Sequence, residues 1–213
     1  MLKEREQFKP RQPRNLLTGI LVDGFGRRMV ARDVYGGPAN GRYYSSAFTA
    51  WATRQRIRPM RIRAEAIEQL VLQVLKRQMS DRTILRPLLI RAGYHGLQID
   101  ELSDEAAAAA LRFDRLTIVQ LSGALKGVLQ RVEVASDRVF ITLRVGALAE
   151  LIASDGVGLF SASDVELSRP GQVHVEEVAV AMARERRKDW LPLMPHAGVP
   201  TPCAKLLALL EDA

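Results

Sequence analysis

At 213 residues, with 47% hydrophobic and 26% charged positions, the chain is long enough for one or two modest domains with a buried core, and too apolar to be disordered as a whole. A single cysteine, Cys203, excludes an intramolecular disulfide and a thiolate zinc cluster, and His95, His174 and His196 lie too far apart in sequence to show metal-ligand spacing. The formal charge of +7 is unevenly placed: residues 1–63 hold 14 Lys or Arg against 4 Asp or Glu, whereas the rest hold 17 against 20.

The lone cysteine suits a reducing cytosol. The opening Met1-Leu2-Lys3-Glu4-Arg5-Glu6 has no apolar signal core, and no run approaches the ~20 apolar residues of a membrane span. A soluble, cytoplasmic chain with no membrane partner is expected.

Residues 1–15, polar and broken by Pro10 and Pro13, read as a linker. Leu16–Val22 is expected as a first strand, Asp23-Gly24-Phe25-Gly26 as a turn, Arg28–Tyr35 as a second strand, Gly36–Gly41 as a longer turn and Arg42–Ala47 as a third strand. Together residues 16–63 predict a small antiparallel β ribbon with arginines on its rims and Tyr43-Tyr44 on its last strand. So few short strands bury too little to stand alone, so the ribbon needs a support. Ile67, Leu70, Val71, Val74 and Leu75 provide it as one helical stripe, with Glu65, Glu68, Gln69, Lys76 and Arg77 on the opposite face. Phe48 and Trp51 are suited to fill the interface.

Residues 64–128 read as a helical arm. Its first helix should stop near Met79, with Ser80 capping the next one, and Pro87 belongs in the first turn or at a kink of a short helix ending at Gly93. Tyr94–Leu102 is expected as a loop, Asp104–Leu111 as an alanine-rich helix capped by Ser103, and Thr117–Val128 as a helix with Ile118, Leu121, Leu125 and Val128 on one side. The first and last of these helices are expected to pack on each other through Ile67, Leu70, Val74 and Leu75 against Ile118, Leu121 and Leu125. Two β-rich runs around Ser136-Asp137 give a returning hairpin within 129–152, expected to complete the ribbon's sheet. In the tail, 153–213, a weak strand in Val165–His174, a helix over Val175–Arg187, a Pro-rich connector at Leu191–Pro202 and a short helix at Ala204–Glu211 are expected, with no assigned role. The fold class is α+β.

Between residues 11 and 63 there are 11 arginines and no lysine, opposed only by Asp23 and Asp33. Clustered cations are what a polyanion needs, because each phosphate neutralised releases condensed counterions. Arginine adds bidentate geometry for phosphate or guanine edges, although GC-rich codons bias a chain the same way. The candidate DNA-binding set is Arg27, Arg28, Arg32, Arg42, Arg54, Arg56, Arg58, Arg61 and Arg63, with double-stranded DNA as partner. The plainer reading is a solvated face kept soluble by arginine. Tyr43, Tyr44 and Trp51 likewise have two readings, stacking on bases or filling a core; duplex DNA keeps its bases stacked, which favours the core.

One order of motifs runs through this region: Leu16-Leu17-Thr18-Gly19-Ile20-Leu21, the Asp23-Gly24 turn, Arg28-Met29, Tyr43-Tyr44-Ser45-Ser46, and a helix opening at Ala64-Glu65. It resembles the ribbon segment of the large serine recombinases, the site-specific DNA integrases of phages and mobile elements. Many members carry a zinc quartet of cysteines. Here Asp23, Ser46 and Arg58 stand in cysteine-like places, so the resemblance is to the zinc-less branch and implies no metal and no cofactor. Arg131-Val132-Glu133-Val134 followed by Asp137-Arg138 is similar to the family's return strand and turn, which extends the likeness to about Ile152.

The resemblance implies a non-catalytic DNA-binding and synapsis portion of a recombinase, with the helical arm contacting another protomer. The family's catalytic serine lies in a domain upstream of the ribbon, and here 15 residues precede it. Ser45 and Ser46 read as strand residues, Ser80 and Ser103 as caps; with no nucleophile constellation, paired carboxylates or P-loop, no enzyme is expected. The alternative is a structural or protein-interaction fragment, a decayed recombinase remnant without DNA affinity. The salt dependence of duplex binding separates the two.

Overall fold

The computed structural model describes residues 15–35, 41–47, 59–154, 173–182 and 193–195, and its architecture is α+β. Two sheets form. In the first, β2 (Met29–Val34), β3 (Gly41–Ser46) and β4 (Arg61–Arg63) make an antiparallel meander in the order β2-β3-β4. The second has the order β1-β5-β6-β7-β8, from β1 (Leu21–Asp23), β5 (Leu129–Val134), β6 (Arg138–Arg144), β7 (Val173–Met182) and β8 (Leu193–Pro195).

The ribbon therefore forms with a different membership from that expected. Its third strand is β4, a three-residue segment too short to stand out in the sequence. The expected first strand is cut to Leu21–Asp23 and leaves the ribbon, pairing in parallel with β5 through Leu21–Val132 and Asp23–Val134. Leu16–Ile20 forms turns instead, closed by hydrogen bonds from the Ile20 and Leu21 amides to the Leu17 carbonyl, with Gly19 at φ 94°. Accordingly the hairpin β5–β6 does not complete the ribbon's sheet; it nucleates the second one.

Among the described residues five α-helices accompany these sheets: α1 (Ala64–Ser80), α2 (Arg82–Arg91), α3 (Leu97–Arg112), α4 (Ile118–Val128) and α5 (Val145–Ala153). α1 lies on β3 and β4, while α4 and α5 lie on the second sheet. Several local expectations change. Asp81, not Ser80, caps α2, its carboxylate accepting from the Thr83 amide at 2.9 Å. Of the two places open to Pro87, the first turn is ruled out, since it sits inside α2. The expected loop at Tyr94–Leu102 is largely the start of α3, entered through Gly96 at φ 55°. Ser103 is consequently an interior residue whose hydroxyl donates to the Ile99 carbonyl at 2.5 Å, the back-bond open to a serine within a helix. Thr117, expected as the first residue of the helix, is instead its cap, in a reciprocal capping box with Gln120.

The partner of α1 is also different. It packs on α3 and α2, not on α4. The alanine run explains this, because Ala106, Ala109 and Ala110 are buried and present almost no bulk, letting α3 approach closely. Ile118, expected in the core, is exposed at the start of α4, whereas Leu125 and Val128 are buried.

In the tail, the helix expected over Val175–Arg187 is replaced by β7, whose Val173-His174-Val175-Glu176-Glu177-Val178 run is rich in β-branched valine and pairs along all of β6. Of the strand expected at Val165–His174, Val173 and His174 lie in β7, and β8 occupies part of the Pro-rich connector. Phe48, Trp51 and Ala204–Glu211 lie outside the described residues. Glu176 is buried on the inner face of β7 and accepts from Gln78 Nε2 of α1 at 3.3 Å, with His174 Nε2 also at 3.3 Å. Two arginines close helix ends: Arg112 reaches the Ile152 and Ser154 carbonyls at the end of α5, and Arg144 reaches those of Lys126 and Leu129 at the end of α4.

One apolar cluster runs from Leu17, Tyr44 and Ile62 through Ile67, Val71 and Leu75 to Leu89, Ile141 and Leu148, so ribbon, helices and second sheet share a core. Leu70→Asp places a carboxylate there without a partner and is expected to cost about 3 kcal/mol or more. Ala106→Leu overfills the α1–α3 contact and should cost about 1–3 kcal/mol. Urea unfolding of both variants checks this; native stability in Leu70→Asp would mean that the stripe faces solvent.

Candidate nucleic-acid interface

The first turn is held by a carboxylate. Asp23 is fully buried at the end of β1; its Oδ1 accepts from the amides of Phe25 (3.1 Å) and Arg27 (2.9 Å), and its Oδ2 from Arg27 Nε at 2.6 Å. The backbone closes the same loop, Asp23 N to Arg27 O at 2.9 Å and Gly26 N to Asp23 O at 2.7 Å, with Gly26 at φ 75°. Donors thereby replace the water that burial strips from the carboxylate, the condition under which a buried ion pair persists. Arg27, a predicted DNA contact, is 9% exposed and serves as the internal partner of Asp23.

A second carboxylate joins the ribbon to α1. Glu68 Oε1 accepts from the Leu16 amide at 2.9 Å and the Tyr44 hydroxyl at 2.7 Å, while the Leu17 amide donates to the Tyr44 oxygen at 3.0 Å. Arg42 spans this group, donating to Glu68 Oε2 and Asn15 Oδ1, each at 3.3 Å. Burial, and then the charge and hydrogen bond of Glu68, push the Tyr44 phenol far above its usual range. The helical pattern puts Glu68 on the solvated face of α1, yet it is 5% exposed. Ala64, Glu68, Val71 and Leu75 share the buried side, and only the partners supplied by distant residues make a carboxylate acceptable there.

Strand register sorts the remaining arginines. Tyr43 pairs with Arg32 on one side and Arg63 on the other, and Ser45 with Val30 and Arg61. Directly paired residues share a face, so one side of the meander carries Val30, Arg32, Val34, Gly41, Tyr43, Ser45, Arg61 and Arg63, and no acid. Asp33, Arg42 and Tyr44 belong to the opposite side, toward α1. Arg32 and Arg63 are exposed and make no ion pair with a described residue, and the same holds for Arg28, which precedes β2 in the same alternation. The half-buried Arg61 guanidinium lies 4.6 Å from the Tyr43 ring centroid, a cation–π contact that stiffens it.

Of the nine arginines singled out, the structure thus groups Arg28, Arg32, Arg61 and Arg63, and places Arg27 and Arg42 in internal ion pairs. Arg54, Arg56 and Arg58 lie outside the described residues. Tyr44 belongs to the apolar core, in keeping with the core reading, whereas Tyr43, equally buried, lies on the arginine side beneath Arg61. Among the described residues no three His, Cys, Asp or Glu side chains come together as a metal site, and no helix is long and apolar enough to cross a membrane.

Tyr44→Phe deprives Glu68 of a donor and the Leu17 amide of an acceptor, and should cost about 1–3 kcal/mol. Because the folded state holds the Tyr44 proton more tightly than the unfolded chain, this stability is present below about pH 10 and is lost as pH rises above it. Alkaline unfolding should therefore be less steep in Tyr44→Phe. Asp23→Asn, which leaves Arg27 without its counter-charge, is expected to cost on the order of 3 kcal/mol by the same urea measurement. The chain matches no family model, no curated protein and no solved structure.

Proposed function

We propose that the chain is a DNA-binding and synapsis portion of a serine-type site-specific recombinase. The observation that carries the DNA-binding part is the outer face of the β2-β3-β4 meander, on which no strand residue is acidic among the described residues, with Arg28, Arg32 and Arg63 exposed and Arg61 stacked beside them. Segregation matters more than net charge here, because an acid on that face would repel the phosphates its neighbours attract. The recombinase assignment rests on the order of motifs from Leu16 to Glu65.

Geometry favours backbone contacts. Arg32 and Arg63 are two strand spacings apart, roughly 10 Å, and Arg28 and Arg32 four residues apart along the chain, roughly 13 Å. Such spacing suits phosphates flanking a groove, which position a duplex without reading it. The helical layer offers a protomer contact through exposed Leu97 (79%), Leu111 (70%) and Ile118 (56%), the observation that also supports the rival reading of an interaction fragment.

Fluorescence anisotropy over a salt series tests the proposal. Binding on the order of micromolar at physiological salt is expected, as for non-specific association. Replacing Arg28, Arg32 and Arg63 by Ala should flatten the log–log salt slope by about one unit per arginine. No nicking of supercoiled plasmid is expected. Equal slopes for the two proteins, or no binding at low salt, would favour the interaction fragment.

A further inference from the structure

We infer that Phe25 is an apolar wedge that presses on a base step of the bound duplex, an inference that rests on the DNA-binding reading above. Phe25 stands at the tip of the β1–β2 turn and is 62% exposed. A single exposed apolar side chain on a soft loop would carry no meaning. This one is mounted on a braced turn. Its amide is bound by the buried Asp23 carboxylate, Gly24 backs so closely onto the Ala135 backbone that an added Cβ would lie 3.3 Å from Ala135 Cα, and the Arg27 guanidinium sits 5.4 Å from the ring centroid. Ring and backbone are therefore arranged before any ligand arrives, which lowers the ordering cost of binding.

The surroundings suit a polyanion. Arg28, exposed and without an ion pair among the described residues, lies three positions beyond Phe25 as the chain leaves the turn. On the other side of the turn, Arg131 Nη2 lies 3.7 Å from where a Cβ on Gly26 would stand. The nearby carboxylates are engaged, Asp23 internally with Arg27 and Glu133 with Arg131 at 2.7 Å. The ribbon's two adjacent tyrosines, by contrast, are 1% and 0% exposed and present no ring to a base. Among the described residues of this region two rings are exposed, Phe25 and Tyr35, which follows β2; of these Phe25 is the wholly apolar one and the one carried on the braced turn.

A phenylalanine inserted at a base step partly unstacks it and kinks the duplex, at least cost at flexible pyrimidine–purine steps such as TA. The arginines would supply sequence-independent affinity, and Phe25 a preference for deformable DNA without a hydrogen bond to a base edge.

The test uses the full chain with duplexes carrying 2-aminopurine beside a central TA step, and matched duplexes with a stiff A-tract there. The wild type should raise 2-aminopurine fluorescence on the TA duplex and bind it more tightly than the A-tract duplex. Phe25→Ala should lose the fluorescence rise and bind the TA duplex roughly tenfold more weakly at every salt concentration, with the salt slope unchanged. Phe25→Leu, which keeps an apolar wedge, should retain most of the signal. The Arg28, Arg32, Arg63 triple variant should flatten the slope and keep the signal at saturation. If Phe25→Ala matches the wild type in affinity and fluorescence while the salt slope stays steep, the wedge is overturned and DNA binding stands. If the wild type binds no duplex at low salt, both readings fall.

Discussion

The buried carboxylate of Glu68 is the constraint on which the ribbon depends. A three-stranded meander of such short strands has too little apolar surface to fix its own position, and α1 alone would allow it to slide. Glu68 removes that freedom by taking hydrogen bonds from the entering chain at Leu16, from β3 through Tyr44, and from Arg42. These donors reach it from two separate stretches of chain, so the group is satisfied in one arrangement only. Misplacement of any partner leaves a charge or an amide buried without a match, a cost that apolar contacts do not impose.

The Asp23–Arg27 pair performs a similar task at the first turn. In a small ribbon such a turn is commonly tied by metal or disulfide; here one carboxylate gathers two backbone amides and a guanidinium. The two buried acids divide the arginines of the ribbon into two populations. Arg27 and Arg42 neutralise the interior, and Arg28, Arg32 and Arg63 remain on the outside, where Asp33 does not reach because it belongs to the other face. The basic character of the outer face thus arises from strand alternation, not from composition alone.

Much of this is legible in the chain. Helical periodicity places α1 through Ile67, Leu70, Val71 and Leu75, the Ser136-Asp137 turn marks the β5–β6 hairpin, and glycine-punctuated turns mark the ribbon. What escapes a reading of the sequence depends on partners far away in it. Glu68 looks solvated because its donors come from residues 16 and 42–44. β7 looks helical because Glu176 and Glu177 interrupt its alternation, and only pairing with β6 and the reach of Gln78 reveal why one of them points inward. The arginine set is undivided in the sequence, since no local pattern distinguishes Arg27 from Arg28. That distinction is made by a carboxylate four residues back, a spacing whose meaning appears once the turn is closed.

The parallel pairing of β1 with β5 has a consequence for the order of assembly. The meander and α1 draw their contacts from neighbouring sequence and can close early, but Leu21–Asp23 has no strand partner in its own sheet until Val132–Val134 has been made and the intervening helices have folded. Contacts of such long separation repay their loop-closure entropy late. During synthesis β1 would wait as an open edge beside a finished ribbon, so a chain interrupted before β5 would expose a sticky strand at the moment its arginine face was already formed.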